Sequence, residues 1–276
     1  MNRRELLKRA ACAVTGSAIA GAAYPVLEAK WCGVSRRAIA LPHLPRAFEG
    51  KTLALLTDVH HGPFTPREYV RHVVDLTNAL RPDFVALAGD YVSNGGRYIA
   101  PVFEELGRLR AAIGRYAVIG NHDAWDGLSE TYDAMHEAGF VDLTNAGTWI
   151  EHRGCRLRLA GVGDLWTQDQ DLGAALGDAE EGDATIVLSH NPDFVEAIDD
   201  RRVGLVLSGH THGGQVFVPG YGSPILPSKF GQKYAQGLVQ GPTARVYVSR
   251  GIGTVGPPVR LFCRPEVVLI TLTARA

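Results

Sequence analysis

The sequence predicts a mixed α/β fold, because short apolar runs alternate with helix-like segments along most of its 276 residues. Most of these runs are continuous rather than alternating, which is typical of strands that are covered on both faces. The second half of the chain holds more of them, so we expect more strand there. A composition of 46% hydrophobic and 21% charged residues is ordinary for a globular protein with one large domain or two small ones.

Strands and helices are expected to alternate through the first half of the chain. The first strand is predicted at residues 52–57. Thr65, Pro66 and Glu68 then form the pattern of a capping box with proline at the first helical position, which predicts a helix that ends before Arg81. The next elements are predicted as a strand at 84–88, a helix from Pro101, a strand at 116–119 and a helix at 129–138 with Gly139 as its C-terminal cap.

The second half is predicted to consist mainly of strands. Asn191 followed by Pro192 is a typical helix start and lies between two of them. The strands are predicted at residues 156–160, 185–188, 203–207, 245–248 and 266–272.

Five of the apolar runs end in side chains that commonly bind metal ions. In open α/β sheets, ligands gather outside the carboxyl ends of the strands, because the loops there aim side chains into a shared crevice. Gly209 and Gly213 flank the last pair of histidines, where a Cβ atom would obstruct a backbone that passes close to bound ions. The run-ending residues are Asp58 and His60, Asp90, Asn121 with His122 and Asp123, His190, and His210 with His212.

These nitrogen and oxygen ligands are too many for one four-coordinate zinc ion. Two metal ions that share a bridging carboxylate would use them, and paired ions roughly 3.5–4 Å apart clamp an in-line displacement at phosphorus. Ligands without sulfur fit Mn, Fe or Zn, and the neutral Asn121 argues against calcium. The sequence therefore predicts two divalent metal ions as cofactors.

Together, these blocks resemble the signature of the calcineurin-like metallophosphoesterases, which reads DxH, GD, GNHD or GNHE, a lone His, and GHTH. The resemblance covers about residues 50–272, with the blocks in the family's order. Flanking stretches such as LSHNPD and YVSRGIGTVG look closest to a bacterial branch with an export signal or membrane segment. The blocks stand here as Asp58-Val59-His60, Gly89-Asp90, Gly120-Asn121-His122-Asp123, His190 and Gly209-His210-Thr211-His212.

The resemblance implies a four-layer α-β-β-α sandwich of two mixed sheets flanked by helices, with a dinuclear metal site at the carboxyl ends of strands. It also implies how the ligands divide between the two ions. One ion would be bound by Asp58, His60 and His212, the other by Asn121, His190 and His210, with Asp90 bridging the two.

The resemblance further implies a catalytic role for His122, which would stay off the metal ions and donate a proton to the leaving oxygen or stabilise charge on the phosphoryl group. A hydroxide that bridges the two ions would be available near neutral pH, because the ions lower the pKa of water by many units. The same ions would neutralise the charge of the phosphoryl oxygens. An imidazole suits the role of proton donor, because imidazoles exchange protons close to working pH.

Several further polar side chains near these motifs have competing explanations. His61 could replace His60 as the ligand, but the two-residue spacing from Asp58 favours His60. Asp123 is expected to orient the preceding histidine or its loop, and Asn94 is expected in a turn rather than against substrate. We expect solvated charges rather than phosphate contacts at Lys229, Lys233 and Arg250, and surface positions for His43, His72, His136 and His152.

Residues 1–30 differ from the rest of the chain and resemble a bacterial twin-arginine export signal. Arg3-Arg4 opens a basic region, an apolar run rich in Ala and Gly follows, and small residues at 20–23 could be cleaved. The competing interpretation is an uncleaved membrane anchor, which the low hydrophobicity of the run disfavours. We therefore expect a metallophosphoesterase domain at 48–276, exported by the twin-arginine machinery to the periplasm or another extracytoplasmic site, with possible membrane association.

The charge of the chain argues against nucleic acid as a partner. Removing residues 1–30 would take away five basic and two acidic side chains, and the remainder shows no basic stripe that would bind nucleic acid.

The cysteines predict buried thiols rather than a disulfide framework. Cys12 lies in the predicted signal, which leaves Cys32, Cys155 and Cys263 as an odd set. Nothing in the sequence encodes the oligomeric state.

The function that this sequence predicts is metal-dependent hydrolysis of a phosphodiester or pyrophosphate by a metal-bridging hydroxide. The substrate would be a phosphorylated small molecule, lipid or cell-wall component. A second hypothesis is a UDP-diacylglucosamine pyrophosphatase of lipid A synthesis, which the export signal disfavours. A third is a catalytically weak protein that binds a phosphate polymer of the cell wall, which the intact His122 and ligand set disfavour.

Overall fold

The computed structural model describes Glu5 and residues 23–274, which contain twelve β-strands in two sheets. The strands are β1 (Gly33–Leu41), β2 (Thr52–Leu56), β3 (Phe84–Ala88), β4 (Gly114–Val118), β5 (Val141–Asp142), β6 (Ala146–His152), β7 (Cys155–Gly161), β8 (Thr185–Leu188), β9 (Leu205–Ser208), β10 (Gly237–Gln240), β11 (Arg245–Val248) and β12 (Glu266–Ala274). The first sheet has the order β1-β12-β2-β3-β4-β5 and the second has the order β10-β11-β9-β8-β7-β6. Both are mixed, because β12 is antiparallel to β2 and β10 is antiparallel to β11.

Helices cover the outer face of each sheet. Apart from the helical residues 23–28, the α-helices of the described residues are α1 (Arg67–Ala79), α2 (Ile99–Leu106), α3 (Asn121–Glu137) and α4 (Leu172–Leu176), and the longest 3-10 helix there is Pro192–Ala197. Side chains of α1, α2 and α3 pack on the first sheet, and those of α4 and the 3-10 helix pack on the second. The predicted α-β-β-α sandwich of two mixed sheets is therefore confirmed.

The strand β3 shows why the apolar runs of this chain are continuous. Phe84 and Ala86 face the core between the two sheets, while Val85 and Leu87 face the helices. All five residues of β3 are buried, since a strand in the middle of a four-layer sandwich has no solvent face. The predicted bounds of β3, β8 and β11 match those in the structure.

Several helix predictions need correction. Pro66 has extended backbone angles and no side chain caps α1, so Thr65 does not form the predicted capping box. The helix predicted from Pro101 begins earlier, as α2. The helix predicted at 129–138 is the second part of α3, which has non-helical angles at Gly127. The helix start at Asn191 is confirmed, because its side chain accepts a hydrogen bond from the Asp193 backbone.

The sequence patterns missed β1, β5, β6 and β10, which are the four edge strands of the two sheets. An edge strand is covered on fewer sides, so its residues do not form a continuous apolar run. In β1 the three residues from Arg36 to Ala38 are exposed. Because β1 pairs in parallel with β12, the first sheet begins before residue 48, where we expected the domain to start.

The predicted export signal falls mostly on residues 1–4 and 6–22, which lie outside the described residues. Residues 23–28 are helical, and the buried carboxylate of Glu28 accepts hydrogen bonds from the backbone of Phe262 and Cys263. Within residues 23–274, no helix has the length and apolar character needed to cross a bilayer. Cys32, Cys155 and Cys263 are free thiols, with Cys155 half-buried and the other two buried.

The parallel strands place five loops at the same end of the sandwich. In the first sheet β2, β3 and β4 are parallel neighbours, and in the second β8 and β9 are parallel neighbours. The segments that directly follow these five strands, either loops or the first residues of helices, carry all the residues predicted to bind metal.

Candidate metal centre

The structure brings the seven predicted metal ligands, which we call the candidate ligands, into one buried cluster. Each is at most 5% exposed, although such polar side chains are rarely buried without partners. They come from five strand ends in two different sheets. The candidate ligands are Asp58, His60, Asp90, Asn121, His190, His210 and His212.

Asp58, His60 and His212 form the first group of ligand atoms. The Nε2 atoms of His60 and His212 are 3.0 Å apart, and His212 Nε2 lies 3.4 Å from Asp58 Oδ1. These separations lie within the 4.8 Å over which the ligand atoms could share one cation.

Asp90, His190 and His210 form the second group. His190 Nε2 lies 3.2 Å from Asp90 Oδ2 and 3.2 Å from His210 Nδ1. The same Asp90 oxygen lies 3.4 Å from His60 Nε2 of the first group. Asp90 therefore stands between the two groups, as a bridging carboxylate must.

Hydrogen bonds from outside the cluster fix the orientation of two imidazoles. His60 Nδ1 bonds Ser93 Oγ at 2.5 Å, and His190 Nδ1 bonds the Ala88 carbonyl oxygen at 2.7 Å. A bond at Nδ1 leaves Nε2 free to face the cluster, and such outer contacts hold metal-binding histidines in place. Ser93 was missed by the sequence patterns, because it belongs to no recognised block.

Burial makes most of the imidazoles neutral. It lowers the pKa of His60 and of His210 to about 3 and that of His212 well below its usual value. A neutral imidazole keeps the lone pair that a metal ion requires. Burial also raises the pKa of Asp58 to about 6.

His190 and Asp90 behave differently because they face each other. Burial acts to lower the pKa of His190, but the Asp90 carboxylate outweighs it and raises this pKa to about 10. Conversely, burial acts to raise the pKa of Asp90, and the His190 imidazole holds it below its usual range. The Asp90 carboxylate therefore attracts positive charge, which a cation would also provide.

Five of the seven candidate ligands adopt backbone conformations that residues with a side chain usually avoid. The φ angles are positive at Asp58 (52°), His60 (47°), Asp90 (58°), His210 (69°) and His212 (53°). Strain of this kind gathers at functional sites, where the surroundings must hold it.

Two glycines let the cluster close. A Cβ on Gly209 would lie 2.7 Å from the Thr57 Cβ and would overlap the Asp58 carboxylate. A Cβ on Gly120 would overlap Asp90 in the same way. Neither glycine has a positive φ, so close approach rather than backbone freedom explains them.

His122 is half-buried beside the cluster. Its backbone N–H donates to Asp90 Oδ1 at 2.8 Å, and its ring lies edge-on to His60, with 4.8 Å between centroids. It also lines the cavity above the ligands. One possible grouping of ligand atoms joins it to His60 and Asp90, so its exclusion from the metal ions stays a prediction.

The donor set fits divalent cations. Asn121 Oδ1 and His210 Nε2 are buried without a hydrogen-bond partner, although buried polar atoms are nearly always paired. Both residues line the same cavity as Asp90. The remaining donors are imidazole nitrogens and carboxylate oxygens, which commonly bind divalent metal ions.

The neighbouring polar residues occupy supporting positions. Asp123 accepts hydrogen bonds from the backbone of Asp90, Tyr91 and Gly120, so it orients the loops around the site. His61 bonds the Thr65 carbonyl oxygen through Nδ1 and belongs to no grouping of ligand atoms.

The basic side chains weighed against the motifs have other partners or face solvent, and Arg250 is half-buried rather than solvated as expected. Arg250 is paired with Glu266 at 2.6 Å, Lys233 with Glu196, and Lys229 is exposed. Asn94 is exposed with a positive φ of 69°, as a turn residue would be. Of the histidines expected at the surface, His43, His72 and His136 are exposed, whereas His152 is half-buried against Phe48.

A cavity of about 330 Å³ opens above the candidate ligands. Its wall includes Trp125 and Trp166, which were missed by the sequence patterns. Trp125 follows His122 by three residues, and residues at that spacing share a helix face, which is the signal that could have found it. Trp166 stands in a loop with no comparable signal.

Comparison with known proteins shows the family to which this chain belongs. The sequence profile described as calcineurin-like phosphoesterase matches residues 51–214, which is more than half of the chain. The chain belongs to the calcineurin-like phosphoesterase family. It is similar to the uncharacterized metallophosphoesterase YkuE of Bacillus subtilis (strain 168), with 30% identity over 280 residues that cover 99% of this chain and 98% of that protein.

Two further relatives cover most of this calcineurin-like phosphoesterase. Phosphodiesterase YaeI of Escherichia coli (strain K12) is 33% identical over 224 residues, which are 80% of this chain and 81% of that protein. An uncharacterized metallophosphoesterase of Aquifex aeolicus (strain VF5) is 32% identical over 264 residues, which are 92% of this chain and 96% of that protein. The chain is therefore a metal-binding hydrolase that acts on phosphate esters.

Proposed function

We propose that this phosphoesterase hydrolyses phosphodiesters. The observation that carries the proposal is the charge of the cavity, because no lysine or arginine side chain of the described residues lines it. A phosphomonoester carries close to two negative charges at neutral pH, whereas a diester carries one. Beyond the two bound ions, the cavity adds no cationic side chain of the described residues that would offset the second charge of a monoester, and this favours the diester.

Two divalent ions are part of the proposal. Asp58, His60 and His212 would hold one ion, Asn121, His190 and His210 would hold the other, and Asp90 would contact both. When bound, such ions lower the pKa of water and offset the negative charge of the phosphoryl oxygens.

His122 supplies the proton in this proposal. Water releases one proton to solvent as its oxygen bonds phosphorus, and the bond to the leaving oxygen breaks while that oxygen takes up the proton of the imidazole. The position of His122 on the cavity wall allows that contact, and the Asp90 carboxylate anchors its backbone. Water returns a proton to the imidazole after each turnover.

Comparison with known proteins supports a diester over a pyrophosphate. One relative, YaeI, is named a phosphodiesterase. Pyrophosphate substrates such as UDP-diacylglucosamine carry two adjacent charged phosphates, and the cavity offers no cationic side chain to the second. A purely binding role at the cell wall is disfavoured, because the chain belongs to a family of hydrolases.

The test compares substrates at equal concentration with added Mn²⁺. We expect release of nitrophenol from bis(p-nitrophenyl) phosphate, at least tenfold slower release from p-nitrophenyl phosphate, and loss of both with a chelator. Faster cleavage of the monoester, or of UDP-diacylglucosamine, would replace the diester assignment.

We also propose that the protein is exported by the twin-arginine route. The support is the sequence of residues 1–30, and this route carries folded cargo, so metal ions could be loaded before export. Changing Arg3→Lys and Arg4→Lys together should retain the protein in the cytoplasm, measured by fractionation. An unchanged distribution would contradict the proposal.

A further inference from the structure

We propose that the cavity contains a subsite for an uncharged, apolar group esterified to the phosphate, which rests on the phosphodiesterase function proposed above. The subsite, here called the apolar wall, consists of Trp125, Trp166, Ile225, Leu226, Pro227 and Val255.

The apolar wall adjoins the reacting centre. The Trp125 ring lies edge-on to the His122 ring with 4.9 Å between centroids, and the Trp166 ring lies edge-on to His210 at 4.3 Å. The two tryptophan rings are 6.3 Å apart and inclined by only 27°, so they form one aromatic surface. A group esterified to a phosphate above the candidate ligands would therefore reach it.

The side chains of the wall are unusually exposed for their type. Trp125 is 58% exposed, Trp166 is 49% exposed and Ile225 is 80% exposed. Large apolar side chains that gather at a concave site, rather than scattering singly, mark a binding surface. An apolar ligand group would remove them from water.

Two polar side chains that line the cavity beside the apolar wall, Gln215 and Thr211, are already paired within the protein. The Gln215 amide donates to the Val255 carbonyl oxygen and accepts from the Val255 N–H, both at 2.8 Å. Thr211 Oγ1 donates to the Ala235 carbonyl oxygen at 2.8 Å. The remaining polar residues of the cavity are His122 and candidate ligands. Outside the candidate ligands and His122, the side-chain amide and hydroxyl groups of the cavity are therefore bonded within the protein, and the wall offers mainly apolar and aromatic surface to the occupant.

The experiment uses three diesters that share the p-nitrophenolate leaving group and differ in the second substituent, which is methyl, phenyl or octyl. For the wild-type chain we expect kcat/KM at least tenfold higher for phenyl or octyl than for methyl, mostly through KM. A phenyl preference identifies aromatic groups as the occupant, and an octyl preference identifies acyl-like chains.

Two variants test whether the tryptophans of the apolar wall cause the preference for the phenyl or octyl diester. In Trp125→Ala and Trp166→Ala the ratio of kcat/KM for the phenyl or octyl diester to kcat/KM for the methyl diester should fall at least fivefold. Trp31→Ala is the matched control, because Trp31 is 56% exposed and does not line the cavity. An advantage that survives both cavity substitutions, or that Trp31→Ala removes, would overturn the proposal.

A binding measurement separates this subsite from the proposed function. Diphenylphosphinate and dimethylphosphinate carry one negative charge and no ester bond, so calorimetry reports binding without turnover. We expect at least tenfold tighter binding of the diphenyl compound, lost in the Trp125→Ala, Trp166→Ala double variant. Equal binding overturns the apolar subsite even if diesters are cleaved. Absence of diester cleavage with preferential diphenyl binding overturns only the phosphodiesterase assignment.

Discussion

At the scale of single residues, the site holds strain and buried charge that a folded chain normally avoids. Five candidate ligands occupy the left-handed region, where a residue with a side chain costs on the order of 1–3 kcal/mol. Asp58 and Asp90 are buried as a pair of carboxylates. Bound cations would offset both the backbone strain and the burial of two carboxylates. This explains why these strained, buried residues can persist where five strand ends meet.

The role of His122 is tested by His122→Ala. We expect metal content to stay at the wild-type value while kcat falls about 10²- to 10⁴-fold, because the proton donor is removed and the candidate ligands remain. Metal content is measured by elemental analysis and kcat with a dialkyl phosphodiester, because its alkoxide leaving group needs a proton whereas p-nitrophenolate departs without one. His136→Ala is the control, since His136 is exposed on the same helix. Loss of metal from His122→Ala would show that His122 is a ligand.

The close approach at Gly209 is tested by Gly209→Ala. The added Cβ must displace the Asp58 carboxylate, so we expect metal affinity to fall about 10- to 100-fold, as it does when the support of a ligand is disturbed. Titration with Mn²⁺ measures the affinity. Gly182→Ala should match the wild-type chain, because Gly182 is exposed with no atom within 4 Å of the new Cβ.

At the scale of elements, inner strands could be predicted from sequence and edge strands could not. The strand β3 is apolar throughout because it is buried on both faces, whereas β1 exposes Arg36 and Arg37 and gives no apolar run. Helix starts are harder to predict, because α1 begins beside Pro66 without a side-chain cap. The predicted helix at 129–138 is too short because Gly127 interrupts the pattern.

The pairing of α1 with α2 depends on the buried Glu105. Its carboxylate accepts hydrogen bonds from Arg67 and Arg71 of α1 at 2.7 Å and from Arg108 at 2.8 Å. We expect Glu105→Gln to lower the free energy of unfolding by about 2 kcal/mol at pH 7, measured by urea denaturation. Glu104→Gln is the control, with an expected change below about 0.5 kcal/mol, because Glu104 is 58% exposed.

The difference in the free energy of unfolding between the wild-type chain and Glu105→Gln should depend on pH. Hydrogen bonds from Arg71, and then from Arg67 and Arg108, hold the pKa of Glu105 below its usual value of 4.5. A carboxyl group with a lowered folded-state pKa stabilises the native state above the unfolded value, and this stabilisation is lost as the pH falls. The gap between wild type and Glu105→Gln should therefore shrink below pH 4.5, and a constant gap would contradict this account.

At the scale of the whole molecule, residues 24–47 connect to the site as well as to the first sheet. Ile39 and Leu41 of β1 are buried, and Arg260, whose N–H donates to the Pro25 carbonyl oxygen, places its guanidinium 3.3 Å from His212 Nδ1. We expect a chain that starts at residue 48 to be less stable by several kcal/mol, since each buried side chain contributes about 1.5–3 kcal/mol.

Thermal unfolding and metal content measure the effect of this truncation. A chain that starts at residue 24 is the control and should behave like the full chain, because it keeps Pro25, Glu28 and β1. Equal stability and metal content in the chain that starts at residue 48 would show that the segment is dispensable.

The composition of the site was easier to predict than its arrangement. Short blocks at strand ends named all seven candidate ligands, because motif residues stay adjacent in sequence. The contact of Ser93 with His60 and the position of Trp166 over His210 join distant stretches, and no local pattern encodes them.

The central claim is that the seven candidate ligands bind two divalent ions, and metal stoichiometry tests it most directly. Wild-type protein and Asp90→Asn are dialysed against Mn²⁺, and bound metal is counted per folded chain. We predict two ions in the wild-type chain and fewer in Asp90→Asn, because its carboxylate contacts both groups of ligand atoms. One ion or none in a folded, saturated wild-type chain would contradict the account.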